Sequence, residues 1–429
     1  MPLARLDLRG VPSGELAARL PAPPAGRSFP TEEVAAILDQ VRAGGDAALA
    51  ELTERFDGVV PSCLRVPPSE LAAALDGIDG ELRRALELAY ARITAYHAAE
   101  PGPAGDVVSD GVTVRHLVRP VARAGMYAPG GRASYPSTVL MCAAPARVAG
   151  VEELVLCVPP GSGGRLPAVT MAAAALAGIE EVYCVGGAQA IAAMAFGTRT
   201  VRPVDVVVGP GNRYVAEAKR QVSGVVGVPN AFTGPSEVVV VADDTTPPAW
   251  AAVDLAVQAE HGPDGLAWLL TWSEEVLEAV DRALAEVVEG SPRRADLEAT
   301  LAGGGLAVLV DGPAEALAVA NEVAPEHLEL LVPGAEALLP LVRRAGAVFL
   351  GPLAPASIGD YVAGPNHVLP TARTARFASA LRVDDFRTHV HAVSLEPEAL
   401  SRLAPAVVAL AEAEGLPAHA ESVRRRVTQ

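Results

Sequence analysis

Glu326-His327, directly after Pro325, sets a carboxylate beside an imidazole. Imidazole titrates near neutral pH and is the commonest general base, so an adjacent acid and base can serve two proton transfers at one carbon. Standing alone, the dipeptide reads equally well as a surface pair at a strand start. Gln258 and His261 are three apart on a predicted helix, so both side chains face one way. Asp360 follows Gly359 in a turn, His367 lies seven residues on, and His419 closes the stretch Glu414-Gly415-Leu416-Pro417-Ala418-His419. Gln258, His261, Asp360 and His419 would form an oxygen and nitrogen shell without sulfur. Zinc accepts such ligands, although an amide oxygen is less usual. Spread over about 160 residues, the four also fit polar side chains lining a cleft. His97, His116, His389 and His391 lack comparable neighbours and read as surface or structural residues.

Three Gly-rich turns follow strands or open helices: Tyr127-Ala128-Pro129-Gly130-Gly131, Gly186-Gly187-Ala188-Gln189 and Gly209-Pro210-Gly211-Asn212. Glycine lets backbone N–H groups approach a phosphate, and a helix N-terminus favours negative charge. None is G-x-G-x-x-G, and each taken singly reads as a tight turn. Three of them at the ends of successive strands point to a nucleotide site, since ligands of such sheets sit at strand C-termini.

The elements that must position these residues follow from the hydrophobic period. Leu154–Val158, Val182–Val185 and Val204–Val208 read as strands, each followed by a helix (Pro167–Ala177, Ala188–Phe196, Arg213–Val222). A second such run opens at Val238–Ala242. It continues through a helix over about 248–260 and strands at Ala267–Trp272, Leu306–Val310, His327–Val332 and Ala347–Leu350. Alternating strands and helices imply parallel sheets covered on both faces, here two α/β domains joined near Gly234-Pro235. Residues 31–56 and 68–99 read as helical, as does a short piece near Glu15–Leu20. After Phe377 the pattern turns mostly helical and forms a tail of roughly 50 residues, too small to bury much core alone. Such a tail must pack on something, another subunit being one candidate.

Composition narrows the function. Half of the 429 residues are hydrophobic and the charged fraction is ordinary, which argues against disorder and for more than one domain. The net charge of −17, with no basic run longer than Arg424-Arg425-Arg426, makes nucleic acid a poor partner. None of the four cysteines, Cys63, Cys142, Cys157 and Cys184, stands in a C-x-x-C pair, so they read as buried apolar residues of a reducing compartment. The N-terminus lacks the apolar stretch of a signal peptide, and no segment has the roughly 18 apolar residues of a membrane span. A cytoplasmic protein without a membrane partner is expected.

Taken in order, the motifs resemble the histidinol dehydrogenase family. The matching stretches are Gly125–Gly131 with Tyr135–Met141, Val185–Ala190, Val208–Asn212, Gly234-Pro235-Ser236-Glu237-Val238 and Gln258-Ala259-Glu260-His261-Gly262-Pro263-Asp264. They continue with Ala324-Pro325-Glu326-His327-Leu328-Glu329, Gly359-Asp360-Tyr361, Gly364–Thr371 and Glu414–His419, so the likeness runs from about residue 25 to the end. It implies a four-electron oxidation of L-histidinol to L-histidine through L-histidinal, the last step of histidine biosynthesis, with two NAD used in turn. By this resemblance His327 takes the hydroxyl proton and Glu326 assists attack of water on the aldehyde. Gln258, His261, Asp360 and His419 would hold one zinc ion per subunit and, through it, the substrate. Ser236, His327, His367 and Glu414 would contact substrate directly, and Tyr127, Gln189 and Asn212 would line the dinucleotide site. The resemblance further implies a homodimer in which the tail of one chain completes the partner's site. Ala356 and Arg382 depart from the family's usual residues without removing a chemical group from the site.

The fold expected on this basis is two Rossmann-like parallel-sheet domains with small helical N- and C-terminal extensions. Residues 1–24 form the N-terminal extension. Residues 25–126 and 237–380 form a discontinuous domain carrying the catalytic and metal residues. Residues 127–236 form the NAD domain, and 381–429 a helical tail docking on the partner. Other readings are a sister zinc/NAD dehydrogenase for another small polar alcohol or diol, a non-catalytic metal- or nucleotide-binding protein, and a zinc hydrolase. The Glu326-His327 pair argues against a mere binder, which needs no proton shuttle. The Gly-rich strand ends argue against a hydrolase.

Overall fold

The computed structural model describes residues 3–21, 29–59, 63–102, 105–130, 133–161, 163–229, 234–262 and 264–427. Two compact units appear: Met1–Ala99 with Ala122–Phe386, and Glu100–Val121 with Arg387–Gln429. The first unit opens with β1 (Ala4–Asp7), α1 (Leu16–Arg19), α2 (Thr31–Asp57), α3 (Pro68–Gly77) and α4 (Gly80–Ala98). β2 (Val107–Ser109) and β3 (Val112–Pro120) belong to the second unit. The first resumes with β4 (Arg123–Tyr127), α5 (Pro136–Ala149), β5 (Glu153–Val158), α6 (Ala168–Leu176), β6 (Glu181–Cys184), α7 (Gly187–Phe196), β7 (Val206–Val208) and α8 (Arg213–Val222). Next come β8 (Glu237–Val241), α9 (Pro248–Ala259), β9 (Leu266–Thr271), α10 (Glu274–Gly290), α11 (Arg294–Gly304) and β10 (Gly305–Leu309). The unit ends with α12 (Pro313–Val323), β11 (His327–Leu330), α13 (Ala335–Leu338), β12 (Ala347–Leu350) and α14 (Ala356–Tyr361). β13 (Arg387–Leu395), α15 (Pro397–Ala413) and α16 (Pro417–Val427) complete the second unit.

Two parallel sheets build the first unit. The six-stranded sheet runs β1-β10-β9-β8-β11-β12 and the four-stranded sheet β6-β5-β4-β7. β8 shows why these strands read as unbroken apolar runs: Val238 and Val240 enter one core and Val239 and Val241 the other, so both faces are covered. Local signals set the helix ends. Asn212 caps α8 by accepting from the amides of Tyr214 and Val215, and the Ser273 hydroxyl caps α10 ahead of Glu274 and Glu275.

The division of the chain differs from expectation in three places. The segment 31–98 belongs with the four-stranded sheet and not with the six-stranded one: α2 shares its core, and α3 and α4 pack on α6 and α5. The apolar face of α2 (Val34, Ile37, Leu38, Val41, Leu49, Leu52) shares one core with Val155, Val207 and the residues of α7. That segment is also broken at Ile78-Asp79, where the Asp79 carboxylate accepts from the amides of Glu81 and Leu82 and starts α4 anew. The N-terminal stretch is no separate extension: β1 is the edge strand of the six-stranded sheet, with Leu3 and Leu8 buried in its two cores. Finally, the tail is not purely helical. β13 is a nine-residue strand that pairs antiparallel with β3, and β2 pairs on β3's other side.

Cys142, Cys157 and Cys184 are buried and Cys63 is exposed; all four are free thiols. Among the described residues no helix is long and apolar enough to cross a membrane.

Candidate active site

β8 and β11 lie side by side with Val238 opposite His327, which brings Glu237 and Glu326 together where the two strands begin. Glu326 Oε2 accepts from the Glu237 amide at 3.0 Å, and Glu237 Oε2 accepts from the Glu326 amide at 3.3 Å. His327 Nδ1 lies 3.1 Å from the Glu237 carbonyl oxygen, which can only accept, so the ring hydrogen sits on Nδ1. Nε2 is then the bare nitrogen of the neutral ring; it is buried with no hydrogen bond among the described residues, 3.4 Å from Asp360 Oδ1. Phe349 stacks on the imidazole, ring centroids 6.0 Å apart, and Gly359 leaves the room for Phe349, since a Cβ there would stand 2.6 Å from that ring. Burial opposes charge on His327, but the carboxylates of Glu326 and Asp360 outweigh it and raise the imidazole well above its ordinary range.

Three further elements converge on the same place. Gln258 lies in the buried last turn of α9, and its amide lies 3.4 Å from Asp360 Oδ2. α9 stops at Ala259, but the His261 amide donates to the Gln258 carbonyl, so the turn continues and keeps His261 beside Gln258. His261 Nδ1 meets Ser236 Oγ at 2.9 Å. α14 carries Asp360, whose carbonyl oxygen accepts from His367 Nδ1 at 2.8 Å, while His367 Nε2 faces Thr138 Oγ1 at 3.3 Å. Burial would raise the Asp360 carboxyl, yet His327, His367 and His261 together hold it low; His367 itself is lowered by burial.

Ser236, Gln258, His261, Glu326, His327, Asp360 and His367 thus lie together. Glu414 caps the C-terminus of α15 and His419 stands in the first turn of α16, both exposed on the second unit. Gln258, His261 and Asp360 offer amide, imidazole and carboxylate donors, a sulfur-free set that suits zinc. Among the described residues no three His, Cys, Asp or Glu side chains are grouped closely enough to hold a metal alone.

The Gly-rich turns lie at the other sheet. β4 has β5 on one side and β7 on the other, so the strand order reverses there, and Tyr127 and Gly209 follow at the C-terminal ends of β4 and β7. Gly209 takes φ +103, and a Cβ on it would stand 2.1 Å from the Tyr127 carbonyl oxygen, so only glycine fits. The buried Lys219 ammonium donates to the Gly209 carbonyl at 2.8 Å, and burial pulls its pKa down to about 8. The Tyr127 hydroxyl accepts from the Gly187 amide at 3.1 Å. Gln189, in the first turn of α7, is 1% exposed, and neither atom of its amide has a hydrogen-bond partner among the described residues. Such a group is costly unless something else binds it. Gly131, at the end of the first turn, and Pro263, beyond His261, lie outside the described residues.

Sequence reasoning missed Glu237, although it stands inside a motif that was singled out; only the pairing of β8 with β11 reveals its role. His116 and His391, read as surface or structural residues, meet edge to face across β3 and β13 at 5.1 Å. His97 is buried and bonded to Asn366, the structural role expected.

Comparison with known proteins supplies the context for this geometry. The profile of the histidinol dehydrogenase family matches residues 26–427. A histidinol dehydrogenase of Parasynechococcus marenigrum is 49% identical over 91% of this chain and 90% of its own. One from Rhizobium meliloti is 47% identical over 92% and 91%. The crystal structure of histidinol dehydrogenase from Elizabethkingia anophelis superposes with a TM-score of 0.93 at 33% identity, covering 99% of this chain and 98% of that one.

Proposed function

The chain belongs to the histidinol dehydrogenase family, and on that premise we propose that it oxidises L-histidinol through L-histidinal to L-histidine, reducing two NAD in turn, as the last step of histidine biosynthesis. The observation that carries this reading is the buried His327, its Nδ1 3.5 Å from Glu326 Oε2 and its Nε2 3.4 Å from Asp360 Oδ1 and without a hydrogen bond among the described residues. With Nδ1–H held by the Glu237 carbonyl, Nε2 of the neutral ring accepts the hydroxyl proton as hydride leaves the carbinol carbon; a zinc ion on Asp360 would offset one of the two carboxylates that favour the charged ring. Glu326, its Oε2 held by the Glu237 amide, keeps Oε1 for the water that adds to the aldehyde. The hydrate then gives up a second hydride, and the carboxylate forms.

Gln258, His261 and Asp360 would hold one zinc ion, with His419 as fourth ligand. When bound, zinc supplies charge that anchors and orients the amino alcohol. Ser236, His367 and Glu414 would contact the substrate. Tyr127, Gln189 and Asn212 would line the dinucleotide site, with the unbonded Gln189 amide as the contact most in need of a partner.

The protein is further proposed to be a cytoplasmic homodimer with shared sites. The second unit supports this, since Val393 and Leu395, two apart on β13 and so on one face, are 60% and 44% exposed, apolar side chains suited to cover by a partner subunit. Incubation of the purified enzyme with L-histidinol and excess NAD tests the reaction. Two NADH and one histidine per histidinol are expected; one NADH with accumulating aldehyde would overturn the four-electron reading.

A further inference from the structure

Beneath the site lies a second pair of carboxyl groups that the reaction does not use. Glu329 follows His327 by two residues on β11, so both point to the same face of the sheet. Glu329 is 0% exposed. Its Oε1 accepts from the Ala356 amide at 3.1 Å, at the first residue of α14 and about one turn ahead of Asp360. Its Oε2 is buried with no hydrogen-bond donor among the described residues. The Asp254 carboxyl lies within hydrogen-bonding reach of the Glu329 carboxyl. Asp254 is itself buried and stands four residues, about one turn, before Gln258 on α9.

Two carboxylates cannot bond to each other, because neither carries a donor; a carboxylic acid and a carboxylate can. A proton between them satisfies the otherwise orphaned Glu329 oxygen and removes one of two like charges from a dry interior. Burial and the neighbouring Asp254 both push Glu329 upward, in line with that proton being held. The result is a three-cornered link. Glu329 belongs to the strand of His327, Ala356 to the helix of Asp360, and Asp254 to the helix of Gln258.

We propose that the Glu329–Asp254 pair, bridged by one shared proton, is the positioning element of the site: it fixes β11, α14 and α9 to one another and so sets the spacing of His327, Asp360 and Gln258. The proposal deepens the reading above, since it concerns the same metal and proton-transfer residues.

The test uses full-length, zinc-loaded protein carrying Glu329→Gln or Glu329→Leu. The Gln amide still accepts from Ala356 and donates to Asp254 without needing a proton, so kcat/KM and zinc affinity should stay within about threefold of wild type. The Leu side chain fills the space but ties nothing, so zinc affinity, read by competition with a chromophoric chelator, and kcat should each fall about 10–100-fold. KM for NAD should be unchanged. A Leu variant with wild-type kcat and zinc affinity overturns the proposal, as does a folded Gln variant that loses as much as Leu. If Glu329→Leu does not fold, Asp254→Ala decides: it removes the α9 corner alone, and unaltered zinc affinity there overturns the proposal. Inactivity of the wild type on histidinol would instead count against the proposed reaction, because zinc affinity is measured independently of turnover.

Discussion

Glu237 and Glu326 each accept the other's backbone amide, at 3.3 and 3.0 Å, across the first rungs of two parallel strands. The exchange orients one oxygen of Glu326 and leaves the other for chemistry. It also crowds two carboxyls: burial first, and the Glu326 charge second, push Glu237 up to about 8. Glu326, proposed above to activate water, is therefore held by a neighbour that burial and the Glu326 charge push toward its protonated form.

Glu326→Gln preserves this exchange, because the amide oxygen can still accept from Glu237. Its loss should fall on water activation, and be larger with histidinal as substrate than with histidinol. His327→Ala removes the proton acceptor of the alcohol step and should cost about 10²–10⁴-fold in kcat with histidinol. Steady-state rates of both variants on both substrates check this; equal losses throughout would show that the two residues do not divide the steps.

Removal of metal should abolish turnover, and added Zn²⁺ should restore it. His261→Ala deletes an imidazole ligand and should weaken zinc binding by at least about tenfold in a chelator competition. Full activity in preparations shown by elemental analysis to be metal-free would refute the zinc assignment.

Gln189 makes a sharper case, because its amide is buried and unbonded. Gln189→Met keeps the volume and removes two unsatisfied polar atoms. Thermal unfolding without ligand should show unchanged stability, or a gain of about 1 kcal/mol, while KM for NAD rises about tenfold. An unaltered KM for NAD would remove Gln189 from the dinucleotide site.

Acid stability should depend on Glu181. Arg123, 6% exposed at its side chain, binds it through two nitrogens at 2.9 and 2.6 Å. Bonding to Arg123 is the largest influence on this carboxyl and holds it at about 2, against 4.5 when free. A folded pKa below the unfolded one stabilises fully above 4.5, and that contribution is lost as pH falls toward about 2. Glu181→Gln should therefore cost about 2 kcal/mol at pH 7, and the difference should shrink through that acid window. Urea denaturation at several pH values measures it; a pH-independent difference would contradict the assignment.

The shared-site proposal predicts complementation. Inactive His261→Ala dimers mixed with inactive His419→Ala dimers should regain activity after subunit exchange. Each hybrid would hold one doubly altered site and one intact site, so recovery should approach half of wild type per hybrid. Exchange verified by mass-tagged subunits, without recovery, would place His419 within its own chain's site.

Much of this architecture was legible in the residues. The strands buried on both faces announced themselves as Val-rich runs, and α8 was bounded correctly because Asn212 caps it and Val222 ends its apolar face. β3 and β13 were not legible: their residues are mostly half-exposed or exposed, Val390 and Val393 break the alternation of a strand, and each partner is remote in sequence. The same limit hid Glu237, Asp254 and Glu329. A carboxylate beside a valine run looks like the solvent end of a strand or helix; only strand register and helix packing turn it inward.

Pro120 pairs with Arg387, and Ala4 with Leu306, so two early strands wait for partners made about 270 and 300 residues later. At about 5–20 residues per second, ribosomal synthesis leaves each open edge exposed for roughly 15–60 s. β2 covers one side of β3 during that interval, while β3's other side and β1 have no strand at all. The growing chain thus carries two adhesive edges until its C-terminal third emerges. Yield from a fast translation system should accordingly depend on chaperones that bind nascent chains more than the stability of the finished protein would suggest.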